Sequence, residues 1–351
     1  MRHRRLLATL GLVMAAMLCA ASARRTPPLE PTGVIIDTDA GSDDLMAIAF
    51  LLARRDARIE AITIVNGLAH VRPGAANVLR LLELAGRRDI PVYAGRETPL
   101  KPTAEFPAEW RKLSDTLPGV ELPQASRQPE RETAAEYLAR RLADPRHRAR
   151  ILALGPLTNL AEALERAPQS VRGIEELVIM GGALRVPGNL GDGGYFKTDN
   201  TTAEWNMFVD SLAAQKIFAA GAPIRLVPLD ATNKVRIDPA FLREFEARAR
   251  TPLAKFVAQV LESDREYIEM NIFFAWDPLA AVALVEPAVL ETRAAAIEIR
   301  QNPPEEGRAA ELAGRRANAR VAVNASAAAF KRIFLGALTS PGPGEVLRQR
   351  R

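Results

Sequence analysis

From Val34 onward, short apolar runs of β type alternate with longer stretches in which apolar residues recur every three or four positions. The first pattern marks buried strands and the second amphipathic helices, and their alternation is the signature of a mostly parallel sheet covered by helices. Strands are expected at 34–37, 59–65, 92–94, 150–154, 176–180, 224–227 and 319–323. Helices are expected at 43–53, 72–85, 133–143, 157–167, 210–219, 239–249, 253–269 and 277–285, and a last one from Ser326 to Leu338. Ser42 is placed to cap the first helix, and Gly86 follows the second, where a left-handed residue commonly ends a helix. Two stretches break the rhythm, 99–129 with its Pro and polar residues and 186–202 with its Gly, Asn and Asp. Loops of that length inside a compact domain are usually functional or mobile. No internal repeat is visible, so one α/β domain is expected over 33–340, after a linker at 24–32 and before a flexible tail at 341–351.

The N-terminus follows a different pattern. Arg2, Arg4 and Arg5 precede an apolar run over 6–21, which Ala21-Ser22-Ala23 closes as an A-x-A cleavage signature. A secretory signal peptide over 1–23 is expected, because the run is shorter than the ~20 apolar residues that span a bilayer. The protein is then exported, periplasmic or secreted, with no stable membrane span after processing; a retained anchor is the competing reading. Arg4-Arg5-Leu6-Leu7 also resembles a twin-arginine signal, which leaves the export route open. Cys19, the single cysteine of the 351 residues, would leave with this segment, so no disulfide is expected to support the mature fold.

Composition narrows the function. With 48% apolar and 25% charged residues the chain can bury a large core, which excludes disorder and a disulfide-stapled mini-scaffold. The 47 Lys and Arg exceed the 42 Asp and Glu by five, and three of the excess cations lie in the leader. The remainder is nearly balanced and has no cationic run, so nucleic acid is not an expected partner. The histidines are His3, His70 and His147, too few for a typical catalytic zinc site, and any metal should be hard and oxygen-bound.

The most informative segment is Gly33-Val34-Ile35-Ile36-Asp37-Thr38-Asp39-Ala40-Gly41-Ser42-Asp43-Asp44, where a buried strand delivers four carboxylates within eight residues. Ligands of open α/β sheets bind at the C-terminal ends of the strands. Four acids so close raise one another's pKa unless a cation or hydrogen-bond donors compensate them, and a divalent metal is the economical solution. All-oxygen ligation suits Ca²⁺ or Mg²⁺. An EF-hand counted from Asp37 fails, because Ser42 and Ile48 stand where Gly and Glu are required. Asp37-Thr38-Asp39 alone also fits a haloacid-dehalogenase phosphotransferase, but the Gly41-Ser42-Asp43-Asp44 continuation does not.

The run from Asp37 to Asp44 resembles the N-terminal fingerprint of the inosine-uridine type nucleoside hydrolases. The resemblance continues through Gly155-Pro156-Leu157-Thr158-Asn159, Met180-Gly181-Gly182, Gly188-Asn189, Ala203-Glu204-Trp205-Asn206 and Asp277-Pro278-Leu279-Ala280. It implies a Rossmann-like single domain, a dimer or tetramer, and calcium-dependent hydrolysis of ribonucleosides to ribose and free base. Residue by residue, it makes Asp39 both a calcium ligand and the base that activates the attacking water. Asp44, Asp277 and the backbone carbonyl of Thr158 would complete the protein shell. Asp43 would grip the ribose hydroxyls, with Asn189, Glu204 and Asn206 around the sugar, Met180 against it and Trp205 covering it.

The residues alone leave blander readings open. Asp277 before Pro278 also suits an ordinary N-cap, Thr158 and Asn159 suit caps, Met180 suits core, and Glu204 and Asn206 suit a solvated loop. The chain also departs from the family pattern. Trp276 occupies the place where the family often has a His that protonates the leaving group, and it would either stack on a purine or wall the pocket. Asn66-Gly67-Leu68 replaces a Gly-Asn, and the longer stretch before Glu204 makes Asn200 a rival to Asn189. His70, Tyr267 and Asn271 are further candidates for the base pocket. A nucleoside- or ribose-binding protein that kept the metal site but lost leaving-group activation is the alternative from another class.

Overall fold

The computed structural model describes residues 33–340; the expected leader and linker, and the tail after 340, lie outside them. The strands are β1 (Val34–Thr38), β2 (Ile59–Ile64), β3 (Val92–Ala94), β4 (Ala149–Ala153), β5 (Ile174–Met180), β6 (Ile224–Val227), β7 (Leu290–Ala295), β8 (Ile297–Ile299), β9 (Ala309–Glu311) and β10 (Ala319–Ala325). Eight form one sheet in the order β3-β2-β1-β4-β5-β6-β10-β7, and β8 and β9 pair separately. Every neighbouring pair of the large sheet is parallel except β10 with β7 at its edge. The chain runs outward from β1 through β2 to β3, then returns to the other side of β1 as β4. This reversal opens a crevice beyond the C-terminal ends of β1 and β4, where ligands of such sheets bind.

β1 is buried along its whole length, with Ile35 facing one helix layer and Ile36 the other. A strand covered on both faces reads as a continuous apolar run rather than an alternating one, which is why 34–36 is uniformly aliphatic. The two helices nearest the crevice are equally apolar. Ser42–Ala53 is fully buried from Leu45 to Leu51, and Trp276–Val285 is buried from Asp277 to Leu284. They pack against each other with acids in the first turn of both. The C-terminal helix, Ala327–Thr339, covers the first of them and stacks Phe334 on Phe50 at 5.6 Å.

The expected parallel α/β architecture is the one observed, with local differences. Gly41 caps the first helix and Ser42 is its first residue; the Asp44 carboxylate accepts the Gly41 N–H at 3.0 Å. The helix expected over 253–269 breaks at Asp264 into Pro252–Ser263 and Arg265–Glu269. The stretch 99–129 contains a helix, Ala108–Thr116, and β7, β8 and β9 were not expected. No helix among the described residues is long and apolar enough to cross a membrane.

Candidate active site

β1 ends directly beneath the crevice and splays its acids in two directions. Asp37 points into the protein, where its Oδ1 accepts from Thr63 Oγ1 at 2.6 Å and from Asn159 Nδ2 at 2.8 Å. Asp39 turns to the crevice, and its Oδ2 accepts the Leu68 N–H at 2.7 Å. Its successor Ala40 has φ of 57°, a left-handed conformation that costs an alanine energy and that turns the chain sharply into the helix. Asp43 and Asp44 follow in the first helical turn, where free backbone N–H groups favour anions. Asp277 arrives at the equivalent point of the second buried helix. Asp43, Asp44 and Asp277 each place a carboxylate oxygen within 4.8 Å of the others, and Asp39 hydrogen-bonds to Asp44.

Burial dominates the electrostatics of this cluster. It pushes Asp43 up to about 7 and raises Asp39, Asp44 and Asp277, and mutual repulsion among these four acids pushes Asp43, Asp44 and Asp277 further in the same direction. Asp277 Oδ1 is buried without a hydrogen-bond partner. An oxygen-only donor set with a buried orphan oxygen and unfavourable repulsion fits a hard divalent cation, which would remove both penalties.

The acids line an open cavity. Above them Glu204 caps the short helix Trp205–Val209 and accepts backbone N–H groups from Gly182 at 2.8 Å, Asn206 at 3.0 Å and Met207 at 3.3 Å. Even so, burial pushes Glu204 up to about 7. Asn206 donates to the Leu154 carbonyl at 2.8 Å, and Asn189 accepts the Trp205 N–H at 3.2 Å. Aromatic side chains line the same cavity: Trp110, Tyr267, Phe273 and Trp276, the last next to Asp277 in the chain. Trp205 closes the side, stacked on Phe106 at 4.9 Å. A lining that combines carboxylates with flat apolar side chains is complementary to a sugar joined to an aromatic base.

Residues 34–332 match the family model for inosine-uridine preferring nucleoside hydrolase. The chain belongs to that family. Among its curated relatives, Uridine nucleosidase 1 of Arabidopsis thaliana is 32% identical over 258 residues, 72% of this chain and 74% of that protein. The pyrimidine-specific ribonucleoside hydrolase RihA of Salmonella typhimurium is 35% identical over 67% of this chain and 71% of its own. Among solved structures, the plant nucleoside hydrolase PpNRh1 superposes with a TM-score of 0.77 at 30% identity, covering 89% of this chain and all of that one. An inosine-uridine preferring hydrolase from Bacillus anthracis shares the fold, with a TM-score of 0.77 over 88% of this chain and 99% of its own, at 23% identity. This nucleoside hydrolase is therefore an N-glycosidase of a metal-dependent family.

Most residues singled out in the sequence meet in the one cavity: Asp39, Asp43, Asp44, Asp277, Met180, Asn189, Glu204, Trp205, Asn206, Trp276 and Tyr267 all line it. Others do not. Thr158 is buried behind the wall as the first residue of its helix, and its hydroxyl donates to Asp210 at 2.6 Å. Leu154 reaches the cavity in that segment instead. Asn200 folds its own loop, accepting N–H groups from Thr202 and Ala203 and donating to the Glu306 carbonyl, and does not line the cavity. Asn66 is held by Arg111 at 2.6 Å. His70 is half-exposed and bonded to Asp115 at 2.7 Å, outside the cavity, as is Asn271. The sequence reading missed Leu154, Trp110, Arg111 and Asp264, which lie in segments read as an unremarkable strand end, an irregular loop and a continuous helix.

Proposed function

We propose that this enzyme hydrolyses the N-glycosidic bond of ribonucleosides in a calcium-dependent reaction, releasing ribose and a free nucleobase. The observation that carries the reading is the convergence of four carboxylates, three buried and one half-buried, one of them with an orphan oxygen, on a cavity that aromatic side chains also line. Asp39, Asp44 and Asp277 would hold the cation, with Leu154, which lines the cavity, in place of Thr158, which does not. Calcium is favoured over magnesium because it accepts six to eight oxygen ligands in irregular geometry, leaving positions for a vicinal diol and water. When bound, such a cation lowers the pKa of water and fixes the sugar hydroxyls.

The protein's own groups account for the rest. The Leu68 N–H bond fixes the Asp39 carboxylate at the floor of the cavity, from which it takes the proton of the attacking water. Asp43 grips the ribose hydroxyls, and Asn189, Glu204 and Asn206 surround the ring. Glu204 is itself locked by three backbone donors, so its charge is preorganised for the cationic character that develops at C1′. Trp205 and Met180 exclude water from the sugar, and Trp276 offers its face to the base.

Incubation of the protein with a panel of ribonucleosides and the matching 2′-deoxyribonucleosides, with and without chelator, tests this reading through released reducing sugar. Ribose release that chelation abolishes and calcium restores is expected, with 2′-deoxy substrates slower. Tight nucleoside binding without turnover would favour the binding-protein alternative, for which Trp276 in place of His is the argument. The leader expected at 1–23 would place the reaction outside the cytoplasm, which N-terminal sequencing of exported protein would establish.

A further inference from the structure

Resting on the hydrolase reading, we propose that Asp264 is the general acid of this enzyme, delivering a proton to the departing nucleobase. No described histidine lines the cavity: His70 is tied to Asp115 outside it, and His147 is an exposed residue beside Asp144. The ionisable side chains that do line it are the four clustered acids, Glu204, Asp192, Asp264 and Tyr267. In the hydrolase reading the first four would be engaged by cation, water and diol, and Glu204 is filled by backbone donors. Asp192 sits on an exposed turn and, although partial burial raises its carboxyl, has no partner that fixes its direction comparable to Ser42 at Asp264. Tyr267 is pushed up to about 12 by burial and the neighbouring Tyr195 hydroxyl, too weak an acid for the task.

Asp264 differs from all of these. The helix expected to run unbroken over 253–269 stops at this residue, whose backbone (φ −96°, ψ 11°) leaves the helical path between Pro252–Ser263 and Arg265–Glu269. Its Oδ2 is buried without a partner, and its carboxyl hydrogen-bonds to the Ser42 side chain. The carboxyl is thus anchored by Ser42 and keeps one buried, unpartnered oxygen in a residue that lines the cavity, where a ligand bound against it would supply the missing partner. Burial pushes it up to about 7, so near neutrality a substantial fraction carries the proton.

The step balances as a hydrolysis. The C1′–N bond breaks with its electron pair going to the base, and the Asp264 proton passes to a nitrogen or carbonyl oxygen of that base. The oxygen of water bonds to C1′ while its proton goes to Asp39. Solvent then returns a proton to Asp264 and takes one from Asp39.

The test compares substrates whose leaving groups do and do not need a proton. Asp264→Asn and Asp264→Ala in the full chain, with calcium, are assayed on inosine and uridine and on p-nitrophenyl β-D-ribofuranoside, whose phenolate departs unprotonated. Loss of kcat/KM on the nucleosides by about 100-fold or more is expected, with the aryl riboside rate held within about threefold. Asp264→Glu should recover part of the loss, and thermal midpoints of the variants check folding. Equal losses on both substrate classes would reduce Asp264 to a structural role and overturn the proposal, as would unchanged nucleoside turnover. Inactivity of the unaltered protein on every substrate would overturn the hydrolase reading along with it.

Discussion

The backbone is fitted around Asp39 so closely that two glycines are required beside it. A Cβ on Gly67 would lie 2.1 Å from Asp39 Oδ2, and one on Gly155 would lie 2.9 Å from Asp39 Cβ. Gly67→Ala should therefore push the carboxylate out of position without touching the core. The expected result is a fall in both turnover and calcium affinity with little change in thermal midpoint; wild-type calcium affinity by isothermal titration would show that the carboxylate tolerates the push. Asp39→Asn keeps the shape and removes the base. It should cost about 10³-fold or more in kcat while the protein remains folded, since positioned acid–base groups contribute roughly 10²–10⁴. Unchanged rates would remove Asp39 from the chemistry.

At the scale of elements, the site is assembled from helix starts. Ser42–Ala53 and Trp276–Val285 present the acids from their first turns, Glu204 caps a third helix, and Asp264 marks a break in a fourth region. The helix Ala108–Thr116 closes one wall with Trp110, and buried Arg111 ties it to Asn66. Arg111→Ala leaves Asn66 Oδ1 without its donor and should cost about 1–3 kcal/mol. The loss should be local, read as faster amide exchange across 108–116 and a raised KM; exchange unchanged in this helix would mean that other contacts hold it. Such elements explain what the sequence revealed and what it hid. Strands β1 to β6 and the longer helices between them, though not Ala108–Thr116 or Trp205–Val209, were legible because aliphatic β-branched runs and 3.6-residue periodicity report burial directly. The edge strand β7, with Glu291, Thr292 and Arg293 partly or fully exposed, and the Ala-rich β9 carry no such signal. The break at Asp264 was invisible because a single aspartate without Gly or Pro does not interrupt a helical pattern. The acids of 37–44 were legible as a cluster, but which residue behind β4 reaches the cavity depended on the chain path between Leu154 and Thr158, which spacing alone does not define.

On the scale of the whole molecule, a large apolar core supports a cluster of like charges that the fold on its own disfavours. The first of the two buried helices that carry the acids is clamped to the C-terminal helix by aromatic packing, Phe334 lying between Phe50 and its own helix's Phe330 at 5.6 and 5.2 Å. Phe334→Ala should cost about 3–5 kcal/mol, measurable by denaturant unfolding, because so large a buried side chain leaves a cavity behind. The acids oppose this core in a pH-dependent way. Burial raises the folded-state pKa of Asp43 and Glu204 from ordinary carboxylate values near 4 to about 7, and raises Asp39, Asp44 and Asp277 as well. In the metal-free protein the folded state then binds more protons than the unfolded chain between about pH 4 and 7, so folding stability must fall as pH rises through that window. A bound divalent cation replaces those protons and removes the fall, and its binding should release protons into solution. Chelated protein is thus expected to melt at a lower temperature at pH 7.5 than at pH 5.5, and calcium should raise the midpoint more at the higher pH. Scanning calorimetry at both pH values, with and without calcium, reads this directly. A metal-free midpoint that is flat or rises between pH 5.5 and 7.5 would mean that the carboxylates are already compensated by the protein, and the cation would lose its place as the counter-charge on which the site is built.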